Sequence, residues 1–391
     1  MLIHKYIKAA EEIVRLNNGK RPFVKYLKAF FYVNKKFGAN DRRNVSQICY
    51  IIYRLGKAAQ EYNFETQSKI GMFLMRNNEK NWLDVFDKEW LPYCDLSLKE
   101  RINFIEKQFP WFNSLNIVPY QEWFSAEMDV TLYQHSFLHK PHFFIRIRPF
   151  CEAEVIKKLE SSNINYHKIT YQAISFQEPI DLDKFFTINR EVVIQDYNSQ
   201  RVSGLFNFIE FQPNKPIEIL DACAGGGGKT ILLHDYFTQA KITVNDIRIM
   251  TLQSLEKRML EADIKLNEIL NYDLNIQAIP KKYNLIVLDA PCSGSGTWVR
   301  TPELIYFYKK SMFYEILETQ QNIIKNSMLS LEENGYLLYI TCSVFKDENE
   351  GQVKFILDNY TVDLIIKKYF WGYDFNGDTI FVALFKKKAV S

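Results

Sequence analysis

The chain has 391 residues, 47% hydrophobic and 15% aromatic, with a net charge of +3, which exceeds what one core usually holds, so two or three domains are expected. No run of about 18 apolar residues offers a membrane span, and the acids Glu11 and Glu12 interrupt the opening stretch where a signal peptide needs unbroken apolar sequence; a cytoplasmic protein without membrane contact is expected. Six cysteines lie far apart with no Cys-x-x-Cys pair, which argues against a zinc knuckle or disulfide framework, and no metal is expected.

Residues 1–60 hold 13 Lys/Arg against three acids, a surplus of ten, so the remainder carries a deficit of seven. Such a basic lobe suits a polyanion partner, although a solvated helical surface has the same composition. Apolar residues recur at three- and four-residue spacing through "YIKAAEEIVRLNNG", "PFVKYLKAFFYVNKKFG" and "DRRNVSQICYIIYRLGKAAQEY", which predicts a helical domain over 1–129, with Asp41–Ser46 reading as a helix start. "HFFIRIRPF" (142–150) alternates as a strand does, "CEAEVIKKLESSNI" reads as a helix, and "YHKITYQAISF" returns to strand. A small mixed α/β subdomain over 130–195 follows.

From 196 to 391 the pattern is strand, loop, helix, repeated. Strands are predicted at 217–222, 241–246, 266–271, 283–290, 335–342, 361–369 and 379–387, which makes the fold class α/β with a mostly parallel, doubly wound sheet. Ligands of such sheets sit beyond the carboxyl ends of the strands.

Beyond the first of these strands stands "DACAGGGGKT" (221–230). Its Gly-Lys-Thr resembles the end of a triphosphate-binding loop, but the first glycine of that loop would fall on Cys223, which opposes a P-loop NTPase. Acids instead stand at or just after successive strand ends: Asp221, Asp246, Asp273 and Asp289. An acid 20–25 residues after a glycine-rich turn is placed to accept hydrogen bonds from a ribose diol, so a nucleoside ligand is expected. "DAPCSGSGTWVR" (289–300) and "YITCSVFKDENE" (339–350) follow the fourth and fifth strands. With a strand order of 3-2-1-4-5 their thiols, Cys292 and Cys342, emerge side by side, and two thiols beside a nucleoside suggest covalent catalysis.

These three stretches resemble signature motifs of the RsmB/Sun (Nol/Nop/Sun) family of RNA cytosine-5 methyltransferases, and the agreement extends to "VIQDYNSQ" (193–200) and "NGDTIFVALFKK" (376–387). The N-terminal helices more loosely resemble the NusB-type RNA-binding domain of bacterial members. The resemblance implies a Rossmann-like S-adenosylmethionine-dependent methyltransferase sheet, an RRM-like small subdomain before it, and methyl transfer to carbon 5 of a cytosine in RNA. Ribosomal RNA is the first choice of substrate, with transfer RNA open, and a monomer is expected.

It further implies that Cys342 is the nucleophile, that Cys292 assists its release and that Asp289 bonds the activated base; spacing alone leaves the two cysteine roles open to exchange. The cofactor would lie on Cys223, Ala224, Gly225, Gly226, Gly227, Gly228 and Lys229, with Asp246 on the ribose, Asp273 near the adenine and Asp289 closing the site. Gly226 stands where the family has proline, so a looser loop is expected. Arg146, Arg148, Arg201 and Arg300 are candidate phosphate contacts. Two rivals remain: a non-catalytic RNA-binding assembly factor, and a DNA cytosine methyltransferase, which leaves the Thr-Cys motif unexplained.

Overall fold

The computed structural model describes residues 2–75, 80–211 and 215–389, which pack as two compact units: Met1–Lys140 with Trp298–Lys309, and Pro141–Thr297 with Lys310–Ser391. The first unit is helical, with α1 (Leu2–Leu16), α2 (Phe23–Val33), α3 (Ala39–Leu55), α4 (Phe64–Leu74), α5 (Leu98–Gln108) and α6 (Val130–Ser136). The predicted apolar spacing buries Ile13, Phe23, Ile48 and Phe73. Helix α3 begins two residues before the expected start, because the Asp41 carboxylate accepts the Gly38 amide at 3.0 Å and so acts from inside the first turn. At α5 the Ser97 hydroxyl and Glu100 carboxylate cap each other's amides.

The second unit opens with β1 (Phe143–Ile147), α7 (Glu152–Ser161), β2 (His167–Lys168), β3 (Ala173–Phe176) and β4 (Val192–Ile194). The strands form an antiparallel sheet in the order β2-β3-β1-β4. Ile145, Ile147, Ile174 and Phe176 share a core with Val155 and Leu159 of α7, because alternate strand residues point to one face.

After α8 (Tyr197–Arg201) come β5 (Glu218–Asp221), α9 (Gly228–Tyr236), β6 (Lys241–Asn245), α10 (Ile249–Glu261), β7 (Glu268–Leu270) and β8 (Tyr283–Asp289). The next segment, Trp298–Lys309, packs with the helical unit: α11 (Leu304–Phe307) places Tyr306, whose hydroxyl donates to the carbonyls of Ile52 and Gly56 at 3.2 and 2.7 Å. Arg300 therefore belongs to that unit. The chain then completes the second unit with α12 (Lys310–Leu329), β9 (Leu331–Thr341), α13 (Glu350–Asn359), β10 (Val362–Phe370) and β11 (Ile380–Lys387).

These strands make a seven-stranded sheet, β10-β11-β9-β8-β5-β6-β7. Strands β5 to β9 are parallel, and β11 pairs antiparallel with both β9 and β10. The expected 3-2-1-4-5 order is present, extended by a hairpin whose second strand enters between the fifth strand and the first strand of the hairpin. Ile219, Val244 and Leu285 pack on one face with Ile231 and Leu255; Leu220, Ile286 and Leu337 pack on the other with Ile324 and Ile356. A sheet covered on both faces needs strands apolar on both sides, as "LIVL" supplies. Among the described residues no helix is long and apolar enough to cross a membrane.

Two of the candidate phosphate arginines are also engaged by the fold itself. Asp235 of α9 accepts Arg146 Nη1 at 2.6 Å and Arg148 Nη2 at 2.7 Å. Arg148 also reaches the carbonyls of Asn189 and Ala262, so its donors are committed within the fold. Sequence shows two neighbouring arginines but not the acid, 89 and 87 residues away, that receives them. Burial alone would raise the Asp235 pKa, but His234 and the two arginines outweigh it and hold it at about 2, below the ordinary 3.8. A folded value below the unfolded one stabilises above about pH 4 and is lost as pH falls towards 2, an effect of about 2 kcal/mol. Asp235→Ala, which leaves Arg146 buried without its carboxylate, is expected to cost roughly 3–5 kcal/mol in denaturant unfolding.

Candidate functional site

Loops beyond the carboxyl ends of β5, β6, β8 and β9 build the site. After β5 the chain turns through Gly225 (φ +53°) and Gly227 (φ +79°) into α9. A Cβ on Gly227 would stand 2.8 Å from Met259 Cε and 3.1 Å from Leu255 Cγ, so glycine is required there by both conformation and space. Gly226 has no such conformational demand; its carbonyl accepts Arg258 Nη1 at 2.8 Å, while Arg258 Nε donates to Asn189 Oδ1 at 2.7 Å. The loop without the proline is thus tied to α10 by a guanidinium. Asp221, fully buried, accepts the Thr230 hydroxyl at 2.7 Å; burial pushes its pKa up to about 7, against the opposing Thr230 bond.

Asp246, just past β6, accepts the Gly225 amide on Oδ2 at 2.9 Å and the Arg248 amide on Oδ1 at 2.9 Å. The Arg248 guanidinium takes the remaining lone pairs, both at 3.0 Å, from a side chain that is 66% exposed. Burial would raise the Asp246 carboxyl, but Arg248 and the two amides hold it below its ordinary value. It is an ionised acceptor whose outer partner is the exposed tip of a long side chain. Asn245, buried beside it, donates to the carbonyls of Ala222 and Tyr272 and accepts the Tyr272 amide at 2.7 Å. Sequence reasoning passed over this residue; a polar amide ending an otherwise apolar strand, next to the acid, was the available signal. Asp273 lies in the following loop, and its carboxylate accepts the Asn275 amide at 2.9 Å, a local turn contact.

Asp289 ends β8 and accepts Lys229 Nζ at 2.6 Å. Burial works against the Lys229 cation, yet Asp289 outweighs it and keeps the amine above its ordinary pKa. Strand β8 pairs with β9 through Leu288–Tyr339 and Asp289–Ile340, so the following loops run side by side. Cys292 Sγ and Cys342 Sγ are 3.3 Å apart. The Cys342 contact and burial push the Cys292 thiol well up. Cys223 is also pushed up, by burial, which disfavours its thiolate.

What holds the thiols together was not legible in the motifs. Fully buried Glu348 accepts the Ser293 amide on Oε2 at 2.8 Å and the Ser343 hydroxyl on Oε1 at 3.0 Å, the residues that follow the two cysteines. Ser295 joins through hydroxyl contacts of 3.1 Å to both serines. The Gly296 amide donates to the Cys342 carbonyl at 2.9 Å, and the Gly296 carbonyl accepts the Thr379 amide at 2.9 Å, fixing the loop against β11. Burial raises Glu348, partly offset by the serines. Among the described residues no group of three or more His, Cys, Asp or Glu stands where it would hold a metal ion.

With this geometry in place, the comparisons are informative. Residues 208–376 match the family model described as 16S rRNA methyltransferase RsmB/F. This segment is similar to the RsmB/F methyltransferase domain. The chain is similar to ribosomal RNA small subunit methyltransferase F of Psychromonas ingrahamii, 29% identical over 41% of this chain and 33% of that protein. It is also similar to ribosomal RNA small subunit methyltransferase B of Shewanella oneidensis, 33% identical over 36% of this chain and 33% of that protein. The match thus spans about a third of these relatives' length. The crystal structure of PH0851 superposes with a TM-score of 0.70 at 20% identity over 98% of both chains. That of NSun6 from Pyrococcus horikoshii does so with a TM-score of 0.54 at 15% identity, over 64% of this chain and 91% of that one. These likenesses show a shared fold, an α/β domain built on a Rossmann-like sheet.

Gly227→Ala in this domain is expected to cost about 1–3 kcal/mol from strain and overlap, read as a lower unfolding midpoint. Glu348→Ala leaves the buried Ser293 amide without its acceptor and is expected to cost roughly 1–3 kcal/mol.

Proposed function

We propose that this chain transfers a methyl group from S-adenosylmethionine to carbon 5 of a cytosine in RNA, with ribosomal RNA as the first substrate. The observation that carries the reading is the pair of thiols in contact at the ends of two neighbouring parallel strands, 3.3 Å apart, beside a loop able to hold a nucleoside. The relatives' names, which specify ribosomal RNA small subunit methyltransferases, support the choice of RNA.

The loop fits the cofactor. Gly225 and Gly227 let the backbone approach closely, and the Asp246 carboxylate receives ribose hydroxyls when the exposed Arg248 guanidinium leaves. Asp273 borders the adenine. S-adenosylmethionine supplies an electrophilic methyl group when bound. The remaining work falls to the protein. Cytosine carbon 5 is a poor nucleophile until the Cys342 thiolate adds to carbon 6 and makes it enamine-like. Asp289, held by Lys229, hydrogen-bonds the activated base. Once carbon 5 carries the methyl group, a base takes its proton, the released electron pair restores the double bond between carbons 5 and 6, and the Cys342 sulfur leaves as thiolate, a release that Cys292 assists. The target base must leave its stack to reach the thiol, so the substrate is single-stranded or a loop.

Incubated with host RNA and S-adenosylmethionine, Cys292→Ala is expected to accumulate an RNase-sensitive protein–RNA adduct on a denaturing gel, and Cys342→Ala to form none. The opposite pattern exchanges the two roles. If neither forms an adduct while both still methylate RNA, the covalent route is wrong; if the unaltered protein methylates neither ribosomal nor transfer RNA, the enzyme reading is wrong. S-adenosylmethionine is expected to raise the melting temperature of the unaltered protein and not that of Asp246→Ala, since only a ligand favouring the folded state stabilises it.

A further inference from the structure

A cavity of about 450 Å³ lies within the second unit between the small antiparallel sheet, α8 and the segment after it, and the edge strand β10. Its lining shares no residue with the cofactor loop, Asp289 or the thiol pair. The lining includes Arg146, Arg201 and Lys368 and contains neither Asp nor Glu.

Each cation has capacity left. Arg146 is 4% exposed; its Nη1 meets Asp235 and its Nε donates to Gln195 Oε1 at 3.0 Å, while Nη2 is buried without any hydrogen-bond partner. A buried guanidinium nitrogen left unpaired is costly, and an oxyanion is the acceptor that best matches it. Arg201 lies over the Phe370 ring at 4.4 Å and donates to Asn198 Oδ1 at 3.0 Å. Lys368 Nζ lies 5.5 Å from the same ring, from an exposed position on β10. Two like charges gathered on one ring repel each other, and a bound anion reverses that term. Phe208, 49% exposed on the same rim, presents an aromatic face. Cations that follow a backbone next to an aromatic that stacks a base are the pattern of single-stranded nucleic-acid binding.

We propose that this cavity holds one nucleotide of the RNA strand outside the catalytic site, with its phosphate on Arg146, Arg201 and Lys368 and its base against Phe208. The proposal rests on the reading of the chain as an RNA enzyme.

Gly204 offers the cleanest test. It lines the cavity, and a Cβ there would meet nothing within 4 Å, so Gly204→Asp adds a negative charge without steric cost and Gly204→Asn is its uncharged counterpart. Lys368→Glu reverses one charge at an exposed position. Binding of a short fluorescein-labelled single-stranded RNA to the whole protein is measured by anisotropy across a salt series, with melting temperature as the folding control. Gly204→Asp and Lys368→Glu are expected to bind more weakly, and loss of one phosphate contact lowers the slope of log affinity against log salt by about 0.7. Gly204→Asn is expected to keep the unaltered slope, and S-adenosylmethionine should still stabilise all three variants.

Unchanged affinity and slope in Lys368→Glu and Gly204→Asp, with RNA binding intact in the unaltered protein, overturn the cavity and leave the enzyme reading standing. Absence of RNA binding by the unaltered protein overturns both. In a separate arm inorganic phosphate is titrated against melting temperature. If phosphate stabilises the unaltered protein but not Gly204→Asp, while RNA binding is the same in both, the site is one for free phosphate and the RNA assignment falls. Should Gly204→Asp fail to fold, Lys368→Glu decides alone.

Discussion

The parallel pairing of β8 with β9 is the constraint on which the site depends. Adjacent strands lie about 4.8 Å apart, so loops leaving the same ends of both must either diverge or be tied. Glu348 ties them, taking an amide from the β8 loop and a hydroxyl from the β9 loop. A carboxylate with no exposure needs that many donors, and here the donors are the residues immediately after Cys292 and Cys342. The price of burying one carboxylate is thus met by the contacts that bring two thiols into register.

The strand-end acids have four environments and four uses. Asp221 is buried on a hydroxyl and lies near neutrality, which makes it a fixed hydrogen-bonding post under the glycine loop. Asp246 is held ionised by amides and an exposed guanidinium. Asp273 serves a local turn. Asp289 faces Lys229, which places a cation and an anion together next to the sulfur pair. The same residue type at the same topological position thus takes on different chemistry through its neighbours alone.

Behind the site, the small sheet is joined to the Rossmann-like domain by charge as well as apolar contact. Asp235 receives Arg146 and Arg148, and Arg258 links Asn189, before β4, to the carbonyl of Gly226. The glycine that departs from the family proline therefore sits in a loop held from outside, and the stiffness a pyrrolidine ring would give from within is supplied by a hydrogen-bonded arginine.

The amino-acid sequence by itself determined the α/β class, the strands from 217 to 387, the central strand order and the grouping of Cys292, Cys342, Asp246 and Asp289 at the strand ends, because strand periodicity and loop motifs are local and parallel crossovers allow few topologies. Only the tertiary structure decided which charges are spent inside the fold. Arg146, Arg148 and Arg201 look alike in sequence, yet Arg148 is fully committed, Arg146 keeps one unpaired nitrogen and Arg201 lies on an aromatic ring. Nor does the spacing of "KDENE" reveal that Glu348, rather than its neighbours, joins the two cysteine loops. The packing of Trp298–Lys309 with the helical unit, and the entry of β11 between β9 and β10, were hidden for the same reason. Each depends on partners far away in the chain, and only the packed structure brings such partners within hydrogen-bonding distance.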